Sequence, residues 1–250
     1  IRMTTTVDGE NLEDILKIFT LFKVIGSLSE SMALTGVHSD YDAVYCNSWG
    51  PTDDGRCETS GRLFQAALFE KVNSGRRGFG GIYVFAAGNG GSDENVNDDG
   101  YANSPYTMSV AAVHQNGPAY FSEWGACITV SANGYQLLAG GKDASFMYFY
   151  GTSASAPIVA GVVSLMLSIQ RDMYWYDVQE IVMASARLIS TGWTYNAVGR
   201  RYHYALGAGI VDADRATRLA EKWIATERRV NVSQTLIDTM QLPSLAVFDV

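Results

Sequence analysis

Between residues 42 and 223, short apolar runs alternate with stretches whose apolar positions recur every three or four residues. The run "DAVYCNS", 42–48, predicts a buried strand, and "GIYVFAA", 81–87, bounded by glycines, predicts a strand covered on both faces. Between them, "GRLFQAALFEKVNSG" places Leu63, Phe64, Ala67, Leu68 and Val72 on one helical face, with Ser60 as its N-cap and Gly75 as its stop. Strand, helix and strand in that order imply a parallel α/β unit. "YTMSVAAV" from Tyr106 and "CITVSA" from Cys127 predict further strands, while Ala154 to Ile169 and Asp177 to Leu188 predict helices. From Glu227 the periodicity loosens, so residues 226–250 read as a linker or the start of another module.

Composition narrows this picture. At 250 residues and 47% hydrophobic, the chain can bury the core of one large globular domain. Its net charge of −8 opposes the phosphate backbone of nucleic acid and favours cationic partners. Cys46, Cys57 and Cys127 lie far apart without a CxxC pair, so no zinc site is signalled and at most one disulfide can form. No stretch reaches the roughly 18 apolar residues of a membrane span. The nearest, Ile15 to Leu28, is broken by Lys17, Lys23 and Gly26. The chain opens Ile1-Arg2-Met3, without an initiator methionine or the layout of a signal peptide, and is expected to begin upstream.

Two motifs carry chemistry. "GTSASAP", Gly151 to Pro157, sets a serine among small residues at the head of an apolar helix. With the helix starting at Ser153, its first backbone N–H groups have no intrahelical acceptor and favour negative charge beside the serine oxygen, and Pro157 falls in the first turn, where its missing N–H costs nothing. "FAAGNGG" places Asn89 in a glycine-rich turn at the end of a buried strand, where its amide can donate to an oxyanion. Read without the other, each motif also fits a structural role: a tightly packed small-residue helix, and an ordinary turn asparagine.

Together with "SWGPTDDGR", "YVFAAGNGG", "DGYANSPY" and "GRRYHYALGAGIVDADRATRLAEKW", the motif "GTSASAPIVAG" occurs in the order and approximate spacing of the kexin/furin-like proprotein convertases, a branch of the subtilisin-like serine proteases. The chain resembles that family from about Asp42 to Trp223, with Ile1-Arg2-Met3 similar to a strand just upstream. The resemblance implies a three-layer α/β fold around a mainly parallel sheet. It implies that Ser153 is the nucleophile and that Asn89, with the Ser153 backbone N–H, forms the oxyanion hole. It further implies that Asp53 and Asp99 line the pocket for a basic residue before the cleaved bond, and that Ser48, Trp49 and Gly50 pair with extended polypeptide substrate. Carboxylates suit an arginine guanidinium, which they bind through charge-assisted and often bidentate hydrogen bonds. Calcium is implied as cofactor, because clustered carboxylates repel unless neutralised and calcium accepts several oxygen ligands. The resemblance points to Asp53, Glu123 and either Asp93 or Glu94 as its ligands.

Departures from the family shape the remaining expectations. Its triad runs Asp, His, Ser along the chain, with the histidine before a Gly-Thr pair. His38, His114 and His203 all lack that context, so the aspartate and histidine are expected upstream of Ile1 and the peptidase domain, residues 1–225, is expected to lack its N-terminal part. Residues 4–41 have no family counterpart and read as an atypical insertion. The family's cysteines near the acidic loop are replaced, with Val96 and Asp98 in that region. The resemblance also implies the secretory pathway, with which the "NVS" site at Asn231 is compatible, and a possible downstream stabilising domain. The alternative is an inactive pseudo-protease that binds basic peptides through the same cleft.

Overall fold

The computed structural model describes residues 3–7, 31, 42–115, 117–141, 145–189, 192–196 and 199–223. His38, Asn231, segment 226–250 and most of the expected insertion, 4–41, lie outside them. A six-stranded sheet forms the centre, with β1 (Met3–Val7), β2 (Asp42–Asn47), β3 (Ile82–Ala86), β4 (Met108–His114) and β5 (Gly117–Pro118) in that order, and β6 (Ile128–Asn133) also paired to β4. β2, β3, β4 and β6 run parallel to one another, while β1 and β5 add antiparallel.

The two-residue alternation of a strand divides this sheet's side chains between two cores. Val44, Cys46, Ile82, Val84, Ala86, Met108 and Val110 face one layer of helices. Tyr45, Tyr83, Phe85, Ala87 and Ala111 face the other, which contains Phe64, Leu68 and Val72 of α1 (Arg62–Ser74). The first layer centres on α2 (Thr152–Ile169), whose Ala156, Val159, Ala160, Val163, Met166 and Leu167 recur at helical spacing and are buried. Each buried Val, Leu or Met of this stripe contributes about 1.5–3 kcal/mol of hydrophobic stabilisation. α3 (Trp175–Ser185) and α4 (Ala213–Glu221) pack with α2 in the same layer. The expected three-layer, mainly parallel α/β architecture is therefore present.

Several local expectations are corrected. The N-cap of α1 is Gly61, and Ser60 instead accepts a hydrogen bond from Gln65 Nε2 at 3.3 Å, within a buried turn. Leu63 lies on the open side of α1, 53% exposed, because the face that meets the sheet is the one through Phe64, Ala67 and Leu68. α3 starts two residues earlier than its apolar pattern indicates, since Asp177 reaches back and accepts from the Tyr174 backbone N at 3.1 Å, and it ends at Ser185. α2 begins at Thr152, so Pro157 is its sixth residue and lies beyond the first turn. α2 also has the length, 18 residues, and mean hydropathy, 1.7, to cross a membrane, which the expectation of no such stretch overlooked, but it is the covered core helix of the domain. The three cysteines are all free. Two antiparallel strand pairs, β7 (Leu137–Gly140) with β8 (Phe146–Phe149) and β9 (Thr194–Tyr195) with β10 (Arg201–Tyr202), lie apart from the central sheet, and 3-10 turns occupy Arg76–Gly78 and Val96–Asp98.

Candidate active site

Parallel pairing sends the chain ends of β2 and β3 to one edge of the sheet, and both segments that leave there belong to the predicted site. Ser48, Trp49 and Gly50 follow β2, while Gly88, Asn89 and Gly90 follow β3. Gly88 adopts φ +105, a left-handed conformation that glycine tolerates, and a Cβ there would collide with the Glu123 carboxylate. The head of α2 arrives at the same edge. Gly151, φ +134, turns the chain into the helix, and its N–H donates to Gly134 O at 2.9 Å. Ser155 Oγ donates to Ala132 O at 3.1 Å, which fixes the first turn to β6.

Asn89 and α2 are bonded directly. Thr152 donates twice to Asn89 Oδ1, from its backbone N at 2.9 Å and from Oγ1 at 3.1 Å. Gly88 N in turn donates to Thr152 Oγ1 at 3.3 Å. With its oxygen engaged, the Asn89 side chain has a single remaining function, the Nδ2 donor, and no described residue accepts from it. Thr152 is fully buried, whereas the adjacent Ser153 is partly open and its Oγ has no hydrogen-bond partner among the described residues. Ser153 and Asn89 are thus brought to one place through Thr152, a residue the sequence reading did not single out. Its position between Gly151 and Ser153 was the available signal.

The acidic residues divide by location. Asp99 Oδ1 accepts from the backbone N of Tyr101 at 2.7 Å and of Ala102 at 3.3 Å, and a Cβ on Gly50 would stand 3.0 Å from Asp99 Oδ2. Burial raises the Asp99 pKa above the ordinary carboxylate value; the two N–H bonds oppose that shift, and the charges of Asp53 and Glu58 add to it. Asp53 Oδ2 accepts from Asn89 N at 3.2 Å. Asp54 instead faces Arg56 at 3.8 Å on the surface, and Asp98 lines a neighbouring cleft with Trp124 and Tyr204. Trp49 packs edge-on against Phe64, Phe85 and Tyr101, so its side chain supports the floor of the site while Ser48 and Gly50 border it.

Asp53, Glu94 and Glu123 each present an oxygen within 4.8 Å of the others. Asp93, the alternative to Glu94, is outside this group and takes a bond from Ser92 Oγ at 3.3 Å. Glu123 Oε1 accepts from Gly90 N at 3.2 Å, and Glu94 Oε2 accepts from Gly55 N at 3.1 Å. Burial pushes the Glu123 carboxyl up to about 8 against the Gly90 hydrogen bond, and Asp53, Glu94 and Asp99 reinforce the rise through their charges. Three converging carboxyl groups, one of them buried, suit a hard divalent cation with oxygen ligands.

Of the described histidines, His114 ends β4 with its ring 5.8 Å from that of Tyr135, and His203 stacks on Tyr204 and receives a bond from Ala205 N at 3.2 Å. Neither bonds to Ser153.

A half-exposed serine at a helix head, a strand-end asparagine and a parallel sheet between helix layers define a subtilisin-like peptidase fold, and comparison with known proteins agrees. Residues 23–215 match the subtilase family, and the chain belongs to it. It is 36% identical over 224 residues to the dibasic-processing endoprotease of Yarrowia lipolytica, covering 81% of this chain and 23% of that protein. Against human furin the identity is 35% over 213 residues, covering 78% of this chain and 26% of furin. The chain therefore spans about a quarter of the length of these relatives. Among solved structures, a serine protease of Aeromonas sobria superposes with a TM-score of 0.63 at 19% identity, over 74% of this chain and 44% of that one. A protease of Pseudoalteromonas arctica gives 0.59 at 25% identity, over 78% and 57%.

Proposed function

We propose that the protein is a calcium-dependent serine endopeptidase that cleaves polypeptides after basic residues. The observation that carries this reading is the pair of hydrogen bonds from Thr152 N–H and Oγ1 to Asn89 Oδ1, which leaves Asn89 Nδ2 as a donor beside Ser153. In this reading Ser153 Oγ attacks the scissile carbonyl carbon, and the oxygen that gains charge is met by Asn89 Nδ2 and the Ser153 backbone N–H at the head of α2. Asp53 and Asp99 receive the guanidinium of the residue before the scissile bond, with Ser48, Trp49 and Gly50 as the extended pairing segment. A calcium ion would be held by Asp53, Glu94 and Glu123, neutralising their mutual repulsion and fixing the loops that carry Asn89 and Asp53. Asp93 serves this cluster less well than Glu94 because it lies outside it. Passage through the secretory pathway belongs to the same proposal and rests on the likeness to furin.

A second reading, an inactive relative that binds basic peptides, draws on one specific observation: Ser153 Oγ has no basic partner among the described residues. Peptide titration tests the pocket in both readings. A peptide ending in arginine should bind far more tightly than its leucine analogue, because leucine covers the exposed Asp53 and half-buried Asp99 carboxylates without giving them a cationic partner. Asp53→Asn and Asp99→Asn should each erode that preference by about tenfold or more. Equal affinity for both peptides would remove the acidic pocket, and with it both readings.

A further inference from the structure

In an α-helix the carbonyl of Ser153 takes its hydrogen bond from the backbone N–H four residues ahead. That residue is Pro157, inside α2, which has no N–H to give. The carbonyl of the residue at the centre of the site is therefore left without its regular helical donor. Ser48, 105 residues away in sequence, supplies one, since its Oγ donates to Ser153 O at 3.1 Å. Ser48 is the first residue beyond β2 and begins the segment Ser48-Trp49-Gly50, which borders Asp99 through Gly50.

We infer that Pro157 and Ser48 form a two-part lock: the proline frees the Ser153 carbonyl, and the Ser48 hydroxyl uses it to tie the substrate-pairing segment to the first turn of α2. The Ser48 hydroxyl is then a positioning group that acts through Ser153, while the backbone of residue 48, which Ser48→Ala leaves in place, belongs to the pairing segment. The inference rests on the proposed roles of Ser153 and of the segment 48–50. Its physical content is a dependence that neither residue has alone. With proline at 157, losing the hydroxyl strands a carbonyl in a partly buried place. With an N–H restored at 157, the helix can satisfy that carbonyl and the Ser48 hydroxyl becomes largely redundant.

The test is a double-mutant cycle on the full chain, with Ser48→Ala, Pro157→Ala and the pair, read by thermal midpoint. Ser48→Ala should lower the midpoint clearly in the parent and by less than half as much when residue 157 is alanine. Any effect of proline on the unfolded chain is common to both arms and cancels in the interaction term. Equal losses in the two backgrounds would overturn the lock. The positioning role is read separately, by comparing a peptide ending in an arginine carboxylate, which carries negative charge at the oxyanion position without a bond to Ser153, with the matching peptide amide. Ser48→Ala should weaken the carboxylate peptide by about tenfold, the scale of one hydrogen bond, leave the amide nearly unchanged, and be rescued by Ser48→Thr. Equal weakening of both ligands would show a merely structural role and overturn the positioning claim. If the parent chain binds neither ligand, the proposed substrate site fails, and the thermal cycle alone decides the lock.

Discussion

At the scale of single residues, the site depends on which end of one amide faces outward. The Thr152 backbone N–H donates to Asn89 Oδ1 at 2.9 Å and the Thr152 hydroxyl lies 3.1 Å from the same oxygen, so the amide cannot turn its nitrogen inward without facing N–H against the backbone N–H. In a complete catalytic domain that gives Ser153 a base, Asn89→Ala should cut kcat on the order of 100-fold or more with little change in KM, because under the proposed role the Nδ2 bond is worth most when the oxyanion forms. That magnitude is the one measured for the corresponding asparagine of subtilisin and is borrowed from it. A loss confined to KM would contradict the oxyanion role. Asn89 and Ser153 were legible in the sequence because each sits inside a dense run of small residues whose purpose is local. Thr152 and the hydroxyl of Ser48 were not, because their bonds span 63 and 105 residues and no local pattern encodes such a partner.

At the scale of elements, the loops after β2 and β3 are held by carboxylates that also bond the backbone around Asn89. Asp53 takes the N–H of Asn89 and Glu123 that of Gly90, so the charge state of this cluster bears on both loops. Burial raises the Glu123 carboxyl from the ordinary 4.5 to about 8, so in that interval the folded chain holds a proton that the unfolded chain has released. Stability from this group is therefore present below 4.5 and is lost as pH rises through 8. A calcium ion at this cluster would need the carboxylate and compete with that proton. The gain in thermal midpoint on adding calcium should thus be largest at and above pH 8 and shrink toward pH 5, and Glu123→Gln should abolish most of it. A calcium response that is flat with pH, or unchanged in the variant, would remove Glu123 from the cation site. The core strands and α2 could be read from apolar runs because burial on both faces leaves an unmistakable pattern. The pair β7–β8 could not, since Phe146, Met147 and Tyr148 of β8 are all exposed and β7 alternates only between half-buried and exposed positions, so neither strand marks a core face. α4 was missed for the opposite reason: it buries only Ala216 and Ala220, and its Asp212 N-cap is the clearer mark of its start.

At the scale of the whole molecule, a covered sheet and two cores bring a serine, an amide donor and an acidic pocket to one edge, but the described residues give that serine no base. His203 is occupied by its stack on Tyr204, its ring contact with Trp193 at 5.4 Å and the bond from Ala205 N. His114 faces Tyr135 at the end of β4. Without an acceptor for its proton Ser153 would remain an alcohol, and the proposed oxyanion donors would then supply only about 10³–10⁴-fold over water, the figure for subtilisin-type enzymes. The polypeptide of residues 1–250 alone should therefore bind arginine peptides without measurable turnover. The assay is a fluorogenic arginine peptide with calcium, run on this chain and on its Ser153→Ala variant at equal concentration. Indistinguishable traces, both at background, are the expected result. Turnover in the parent that Ser153→Ala abolishes would mean that a histidine of this chain does reach Ser153. Alanine at His38, His114 and His203 in turn would then identify which one, by the loss of that turnover with arginine-peptide affinity retained.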